Sequence, residues 1–153
     1  MNIGYYNSPI GIIEISEINK EIVGIKFVED INLSEEKENE CILNCKKELS
    51  EYFQGERKEF SIKINFIKGT DFQKSVWNAL KEIKYGEKVS YKDIAEKIGN
   101  PKAVRAVGGA NNKNPIGIIV PCHRVIGKNG NLVGYAGGLN AKEFLLNLEN
   151  KNS

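Results

Sequence analysis

Near its C-terminal end the chain carries the run Ile118-Ile119-Val120-Pro121-Cys122-His123-Arg124-Val125-Ile126, in which three chemically active side chains interrupt an apolar segment. His123 is the only histidine among 153 residues, and it directly follows one of the three cysteines. A cysteine thiolate is a strong nucleophile, and an imidazole can remove a thiol proton near neutral pH. The run therefore predicts covalent chemistry at Cys122, to which the rest of the chain delivers a substrate.

The two other cysteines are expected to be inert. Cys41 and Cys45 lie on or beside the apolar face of a predicted helix, where a thiol behaves as a small hydrophobe. A zinc site formed by the three cysteines and His123 is not expected, because the spacing matches no compact zinc module. A direct Cys122–His123 hydrogen bond is not expected either, because adjacent side chains project in different directions; a relay through a water fits better.

Composition places the chain among globular proteins, with 41% hydrophobic and 27% charged residues. No apolar stretch approaches the roughly 20 residues of a membrane span, and the N-terminus has no signal-peptide pattern. An odd number of irregularly spaced cysteines indicates a reducing compartment, so we expect a cytoplasmic protein.

The net charge is distributed unevenly along the chain. Residues 1–69 carry 9 Lys and Arg against 13 Asp and Glu, a net charge of −4, whereas residues 70–153 carry 13 against 7, a net charge of +6. The basic part also contains Cys122. This asymmetry favours an anionic partner, such as nucleic acid, for the C-terminal half, although a basic face can also be merely solvated.

The first third of the sequence has the pattern of a small α/β unit with mostly antiparallel strands. Strands are predicted over residues 3–6, 10–15, 22–28 and 60–66, and Asn19-Lys20 is the expected hairpin connection. A helix over residues 38–54 should bury Ile42, Cys45, Leu49 and Tyr52 on one face. At residues 67–70 the apolar period changes from 2 to 3.6, which places a domain boundary between residues 68 and 69.

The remainder reads as helical. We expect one helix capped by Asp71 and closed by Gly86, with the apolar face Phe72, Val76, Trp77, Leu80 and Ile83. Helices at about 90–98, capped by Ser90 with Asp93 three residues on, and at 101–111, capped by Asn100 with Pro101 at its first position, have the form of a helix-turn-helix. A last helix over 141–149 should present Phe144, Leu145 and Leu148 on one face.

The helix at 101–111 is unusually poor in large side chains, and it contains Gly108 and Gly109. Each interior glycine costs about 1 kcal/mol relative to alanine. One interpretation is close helix packing or an early helix end. The other is a smooth face that approaches a nucleic-acid groove, with Arg105 as its one long side chain able to enter a duplex.

The segment Pro121-Cys122-His123-Arg124-Val125 resembles the active-site signature of the O6-alkylguanine-DNA alkyltransferases. Upstream, the similarity extends through 69–73, 76–77, 89–91, the run 100–110 and Asn114-Pro115; downstream it includes 135–139. It spans nearly all of residues 69–149 in the family's order. In the N-terminal third only the strand pattern and the turn Ser8-Pro9-Ile10-Gly11 are similar.

The resemblance implies direct reversal of O6-alkylguanine by a single, irreversible alkyl transfer to Cys122, without a cofactor or metal. His123 would act as base through a water, oriented by Glu149. Tyr91 would donate a proton toward O6 as guanine leaves, and Asn114 would brace the turn beneath the active site.

The resemblance also implies how DNA is bound. The helix-turn-helix would enter the minor groove, with Arg105 filling the stack vacated by a flipped nucleotide. The DNA-contacting set would comprise Arg105, Ala106, Gly108, Gly109, Tyr91 and Arg124. The base pocket would be lined by Val125, Tyr135, Ala136 and Gly137. Ala136 stands where several family members have serine. With no histidine before His123, the N-terminal zinc site of some members cannot exist here in the same form.

Together these features predict a ribonuclease-H-like α/β domain over residues 1–68 and an all-α domain with a helix-turn-helix over residues 69–153. The expected partner is double-stranded DNA containing O6-alkylguanine, and repair of O4-alkylthymine is left open. We expect the protein to be a monomer that does not bind membranes. Two alternatives remain: an alkyltransferase-like protein that binds the lesion without chemistry, which the presence of Cys122 disfavours, and a thiol hydrolase that turns over.

Overall fold

The computed structural model describes all residues from Met1 to Ser153. The chain divides into two compact units, Met1–Ile67 and Lys68–Ser153. None of the helices combines the length and the apolar character needed to span a membrane.

The first unit is built on a three-stranded antiparallel sheet. Its strands are β1 (Asn2–Ser8), β2 (Gly11–Ile18) and β3 (Glu21–Val28), in the order β1-β2-β3. The connection between β2 and β3 is the predicted pair Asn19-Lys20, and both residues have positive φ, 53° and 69°. Positive φ at both central residues is the geometry that suits the right-handed twist of a hairpin.

One helix, α1 (Glu40–Phe53), packs against this sheet. Asn39 caps it by accepting a hydrogen bond from the Ile42 amide at 3.0 Å. The predicted apolar face is confirmed, since Ile42, Cys45, Leu49 and Tyr52 are all fully buried.

The strand predicted over residues 60–66 is wrong in its extent. This segment is linked to the sheet only by the bridge between Ile22 and Ile64, through the hydrogen bonds from Ile22 N to Lys63 O and from Asn65 N to Ile22 O. Its side chains do alternate between half-buried and exposed. The alternation of side chains therefore indicated correctly that the backbone is extended beside the sheet, but alternation alone does not require the segment to pair as a strand.

The second unit contains four α-helices: α2 (Asp71–Leu80), α3 (Tyr91–Lys97), α4 (Val104–Asn112) and α5 (Leu139–Asn152). It also has a parallel pair of two-residue strands, β4 (Val89–Ser90) and β5 (Val125–Ile126). The predicted α/β plus helical fold class is thus confirmed, with this short pairing as the departure from an all-α second domain.

Two helix boundaries in this unit differ from the prediction. Thr70, not Asp71, caps α2, through a reciprocal pair of hydrogen bonds with Gln73. The same helix ends at Leu80 rather than at Gly86, because Ile83 N bonds to Leu80 O in a tighter turn. Ile83 is nevertheless buried, as the apolar pattern indicated.

The helix-turn-helix pair is present as α3 and α4, but its second helix begins late. Ser90 caps α3 with Asp93 in the predicted reciprocal arrangement. Asn100 does not cap α4; its carbonyl accepts from the Ala103 amide in a separate turn, and Ala103 precedes the helix. The prediction placed Pro101 at the first helical position, whereas it lies in that turn.

The last helix is longer than predicted and buries a different face. Leu145 is fully buried, but Phe144 is 36% exposed, whereas Lys142 and Glu149 are almost completely buried. Two charged side chains thus occupy the inner face of α5, where the apolar pattern alone placed Phe144.

Candidate active site

Cys122 lies in a short 3-10 turn, Cys122–Arg124, that directly precedes β5. The residue is 5% exposed. Pairing of Val89 with Val125 brings the start of α3, at Tyr91, beside this turn. The short parallel strands therefore join the helix-turn-helix to the segment that carries the thiol.

The segment before Cys122 is held in shape by Asn114. Its amide nitrogen donates to Val120 O at 2.8 Å, and its amide oxygen accepts from Ile116 N at 3.0 Å. Within this turn Ile118 is buried with φ of 68°, a left-handed conformation that a β-branched residue adopts only at a cost of about 1–3 kcal/mol. The Asn114 side chain thus stabilises a strained turn directly upstream of the thiol.

Three side chains form a buried ionic cluster next to the thiol. His123 Nε2 lies 2.6 Å from Glu149 Oε2. Arg124 donates to both Glu149 oxygens, from Nε at 2.7 Å and from Nη2 at 3.0 Å, and from Nη1 to Ile83 O at 2.7 Å. The structure therefore brings His123 and Glu149 together although they are distant in sequence.

These contacts and their burial shift the pKa values of His123 and Glu149. Burial works against the Glu149 carboxylate, but the hydrogen bonds and charges of His123 and Arg124 outweigh it and hold the Glu149 pKa well below its usual range. Burial lowers the pKa of His123, against the opposing effect of Glu149. A neutral ring beside an ionised carboxylate carries its proton on Nε2, which leaves Nδ1 as an acceptor.

The thiol itself is predominantly protonated in the resting protein. Burial raises the pKa of Cys122, and a hydrogen bond with Asn114 and the charge of Lys142 only partly oppose the rise. Since the thiolate is the nucleophile, this cysteine needs a base to react at neutral pH. The free Nδ1 of His123 is buried and has no hydrogen-bond partner, so it is available to accept a proton.

Lys142 is part of the site, although it is absent from the site residues predicted from the sequence. Its ammonium donates to Val125 O at 2.6 Å, Val133 O at 2.8 Å and Gly134 O at 3.3 Å. Burial lowers its pKa to about 8, despite the opposing influence of Cys122. The available signal was its helical phase: Lys142 shares a face with Leu145 and Glu149.

Tyr91 is half-buried, and its hydroxyl donates to Val133 O at 3.0 Å. Burial and the proximity of Cys122 raise the pKa of Tyr91, so the phenol keeps its proton at neutral pH. A substrate that displaces Val133 O would meet a protonated donor close to the thiol.

The outer surface of α4 carries small residues and a single long cation. Arg105, Ala106 and Gly109 are exposed, and a Cβ at Gly109 would meet nothing within 4 Å. Gly108 instead faces the Tyr91 ring, which a Cβ would touch at 3.9 Å. The other end of α4 is fixed by Trp77, whose indole nitrogen donates to Ala110 O at 2.8 Å.

The predicted pocket residues lie on β5 and in the loop before α5. Val125 is fully buried, and its carbonyl is occupied by Lys142. Tyr135 sits edge-on to the His123 ring, with centroids 6.5 Å apart. Ala136 is exposed and Gly137 half-buried in the same loop.

Arg124 was predicted to contact DNA, and the structure contradicts that prediction. The side chain is 6% exposed, and all three guanidinium nitrogens bond inside the unit. Its guanidinium also lies 5.7 Å from the centre of the Tyr85 ring. Its position next to the nucleophile in sequence suggests a surface cation, but the turn directs the side chain inward to Glu149.

Asn111, on the inner side of α4, is a second residue that sequence reasoning missed. It is 1% exposed, and its amide nitrogen donates to Cys122 O at 3.4 Å. Its amide oxygen is buried without a hydrogen-bond partner. The only sequence signal was an asparagine at the inward phase of a helix.

Both parts of the chain match described protein families. The profile of the 6-O-methylguanine DNA methyltransferase ribonuclease-like domain matches residues 1–66, and that of the DNA binding domain of the same proteins matches residues 71–151.

Curated relatives and solved structures agree with these matches. The chain is 52% identical over 149 residues to a methylated-DNA–protein-cysteine methyltransferase of Methanosarcina acetivorans, covering 94% of this chain and 95% of that one. A constitutive Bacillus subtilis protein of the same name is 53% identical over 126 residues, 82% of this chain and 76% of that one. The crystal structure of Mycobacterium tuberculosis OGT in complex with DNA has a TM-score of 0.90 at 42% identity, covering 100% and 95% of the two chains.

Proposed function

Because the chain belongs to the 6-O-methylguanine DNA methyltransferase family, we propose that it repairs O6-alkylguanine in DNA by transferring the alkyl group to Cys122. The observation that carries this proposal is a buried thiol, Cys122, directly followed by a histidine whose Nε2 lies 2.6 Å from Glu149 Oε2. All three residues lie in the part of the chain that matches the DNA binding domain.

The first step is removal of the thiol proton. His123 holds its own proton on Nε2 against Glu149 and accepts a second on Nδ1. One bridging water takes the proton from Cys122 and passes one of its own to Nδ1. The imidazolium that results is stabilised by the Glu149 carboxylate, in the manner of a catalytic triad.

The second step is a substitution at the alkyl carbon. The Cys122 thiolate forms the new carbon–sulfur bond with its electron pair while the carbon–O6 bond breaks and its electron pair passes to the guanine. Tyr91 supplies the proton that the leaving base needs, since its raised pKa keeps it protonated. The product is a thioether with no good leaving group, so each molecule acts once.

DNA must present the lesion outside the helix, because an in-line attack by a buried thiol cannot reach a stacked base. Extrusion costs a few kcal/mol, and less for a base that pairs badly. The exposed small residues of α4 fit close approach to the minor groove, and the proposal gives Arg105, the long exposed side chain among them, the role of filling the gap in the stack.

The remaining assignments belong to the same proposal. Residues 69–153 form the domain that binds DNA and carries out the transfer, and residues 1–68 form a separate α/β domain. The lesion is O6-alkylguanine in duplex DNA, and the protein works as a monomer. Three free cysteines fit the reducing cytoplasm.

Intact mass spectrometry tests the proposal directly. After incubation with a duplex containing one O6-methylguanine, the protein should gain the mass of one methyl group, and peptide mapping should place it on Cys122. An unmodified duplex of the same sequence is the control. An unchanged mass despite tight and selective binding of the lesion would instead support the lesion-binding alternative, and repeated turnover would support a hydrolase.

Arg105→Ala should separate DNA distortion from chemistry. We expect repair of duplex DNA to be at least roughly tenfold slower, because the variant lacks the side chain that stacks in place of the flipped base, an interaction of about 1–3 kcal/mol. Reaction with free O6-benzylguanine should be almost unchanged, since that substrate needs no flipping. Lys102→Ala, which removes an exposed cation two residues before α4 begins, controls for general loss of charge. Equal losses on duplex and free base would contradict the role of Arg105.

A further inference from the structure

Two buried polar atoms without hydrogen-bond partners belong to residues that adjoin Cys122. One is His123 Nδ1, on the neighbouring residue, and the other is Asn111 Oδ1, on α4. Asn111 reaches the site through its amide nitrogen, which donates to Cys122 O at 3.4 Å. Buried polar atoms without partners are uncommon, and a polar site that leaves several of them together is where proteins hold an ordered water.

The orientation of the Asn111 amide follows from its one bond. Cys122 O can only accept, so the amide group facing it must be the NH2, and Oδ1 is an acceptor that faces away from that carbonyl. His123 Nδ1 is likewise an acceptor, because Nε2 carries the ring proton toward Glu149. Both unpartnered atoms therefore need a hydrogen from a third group.

We propose that Asn111 is a positioning residue for the relay water: the water donates one hydrogen to His123 Nδ1 and the other to Asn111 Oδ1. With both hydrogens engaged, the lone pairs of the water face the Cys122 thiol, which is the orientation needed to accept its proton. This inference rests on the proposed function, and it assigns to the inner face of the DNA-binding helix a part in the proton transfer.

A water bound only by His123 and the thiol could rotate its free hydrogen toward sulfur, and in that orientation it could not accept the thiol proton. A second fixed acceptor removes that orientation. Asn111 can serve because α4 is anchored directly beside it: the carbonyl oxygen of Ala110 accepts from Trp77 Nε1 at 2.8 Å and from Lys113 N at 3.1 Å. The carboxamide is thus held in place by the backbone that carries it.

Asn111→Leu tests the inference, because leucine has a similar volume and no polar atom. With free O6-benzylguanine, which avoids the DNA contacts of α4, the maximal rate constant of alkyl transfer should fall about tenfold or more at pH 7. The concentration for half-maximal rate should not change. The rising limb of the pH–rate profile should move upward by about one pH unit, since hydroxide must replace the relay.

Asn147→Leu, which removes an exposed amide from α5, is the matched control and should leave both the rate and the pH profile unchanged. A uniform loss of rate in Asn111→Leu without a shift of the pH profile would indicate a merely structural role and would overturn the inference. So would an unchanged rate.

A high-resolution crystal structure of the unmodified protein tests the same point without a substitution, and it decides the matter if Asn111→Leu does not fold. A single water should lie within about 3.2 Å of both Asn111 Oδ1 and His123 Nδ1. A water on His123 alone would refute the part assigned to Asn111. Failure of the proposed function would be different, because the wild-type protein would then gain no methyl group at all.

Discussion

Cys122→Ser is expected to abolish alkyl transfer from O6-methylguanine while leaving selective binding of the lesion intact. A serine hydroxyl is a weak nucleophile at its ordinary pKa, and the neutral His123 can deprotonate a thiol far more readily than an alcohol. The intact mass should therefore remain unchanged after long incubation with the modified duplex. Gel-shift or fluorescence titration should still detect a preference for that duplex over the unmodified one.

Cys41→Ser is the matched control for this prediction. Cys41 is half-buried on α1, and burial and the charge of Glu17 raise the pKa of its thiol, so its thiolate is disfavoured and it has no expected part in the reaction. The variant should gain one methyl group at the wild-type rate. Methylation that persists in Cys122→Ser, or that disappears in Cys41→Ser, would contradict the assignment of the acceptor.

Glu149→Gln is expected to reduce both stability and reaction rate. Glu149 is 1% exposed and accepts from Arg124 twice and from His123 once. Removing its charge leaves the Arg124 guanidinium buried without a counterion, which should cost about 3–5 kcal/mol of unfolding free energy. It also removes the anion that stabilises the His123 imidazolium, so alkyl transfer should slow by about 10²–10⁴-fold.

Urea unfolding followed by fluorescence measures the first effect, because the single tryptophan, Trp77, is 3% exposed within the same unit. Glu143→Gln, on the exposed side of α5, should change stability by less than about 0.5 kcal/mol. A loss in Glu149→Gln no larger than in this control would show that the cluster is not a buried ionic network.

The same carboxylate predicts how stability depends on pH. Its folded pKa is depressed, so its contribution is complete above the unfolded pKa of about 4.3 and is lost as the pH falls through the lower folded value. The stability difference between wild type and Glu149→Gln should therefore be constant near neutral pH and shrink in strong acid. A difference that disappears already at pH 6 would contradict this linkage.

Sequence reasoning recovered those parts of the fold that depend on local chemistry. The Ser90 cap with Asp93, the Asn19-Lys20 hairpin and the buried face of α1 follow from hydrogen bonding and periodicity within a few residues. Where two local signals competed, the prediction failed. Thr70 and Asp71 are both good caps, and Thr70 prevailed because Gln73 completes a reciprocal pair with it.

The candidate site divides in the same way. The adjacency of Cys122 and His123 marked the reacting centre, and the family resemblance supplied candidates for its partners. Neither source indicated that Arg124 turns inward, nor that Lys142 and Asn111 reach the backbone around the thiol. Each of these contacts joins residues at least ten positions apart or depends on a turn whose direction no local pattern encodes.

The amino-acid sequence by itself determined that a thiol and the only imidazole lie side by side, followed by a guanidinium, because these are facts of covalent order. Tertiary structure alone decided what each group can do. The 3-10 turn directs His123 and Arg124 to the same carboxylate on α5, and burial and the contacts there lower the pKa of both His123 and Glu149. Burial and the closeness of charges depend on how distant parts of the chain pack together, and here they result from the packing of α4 and α5 around Cys122.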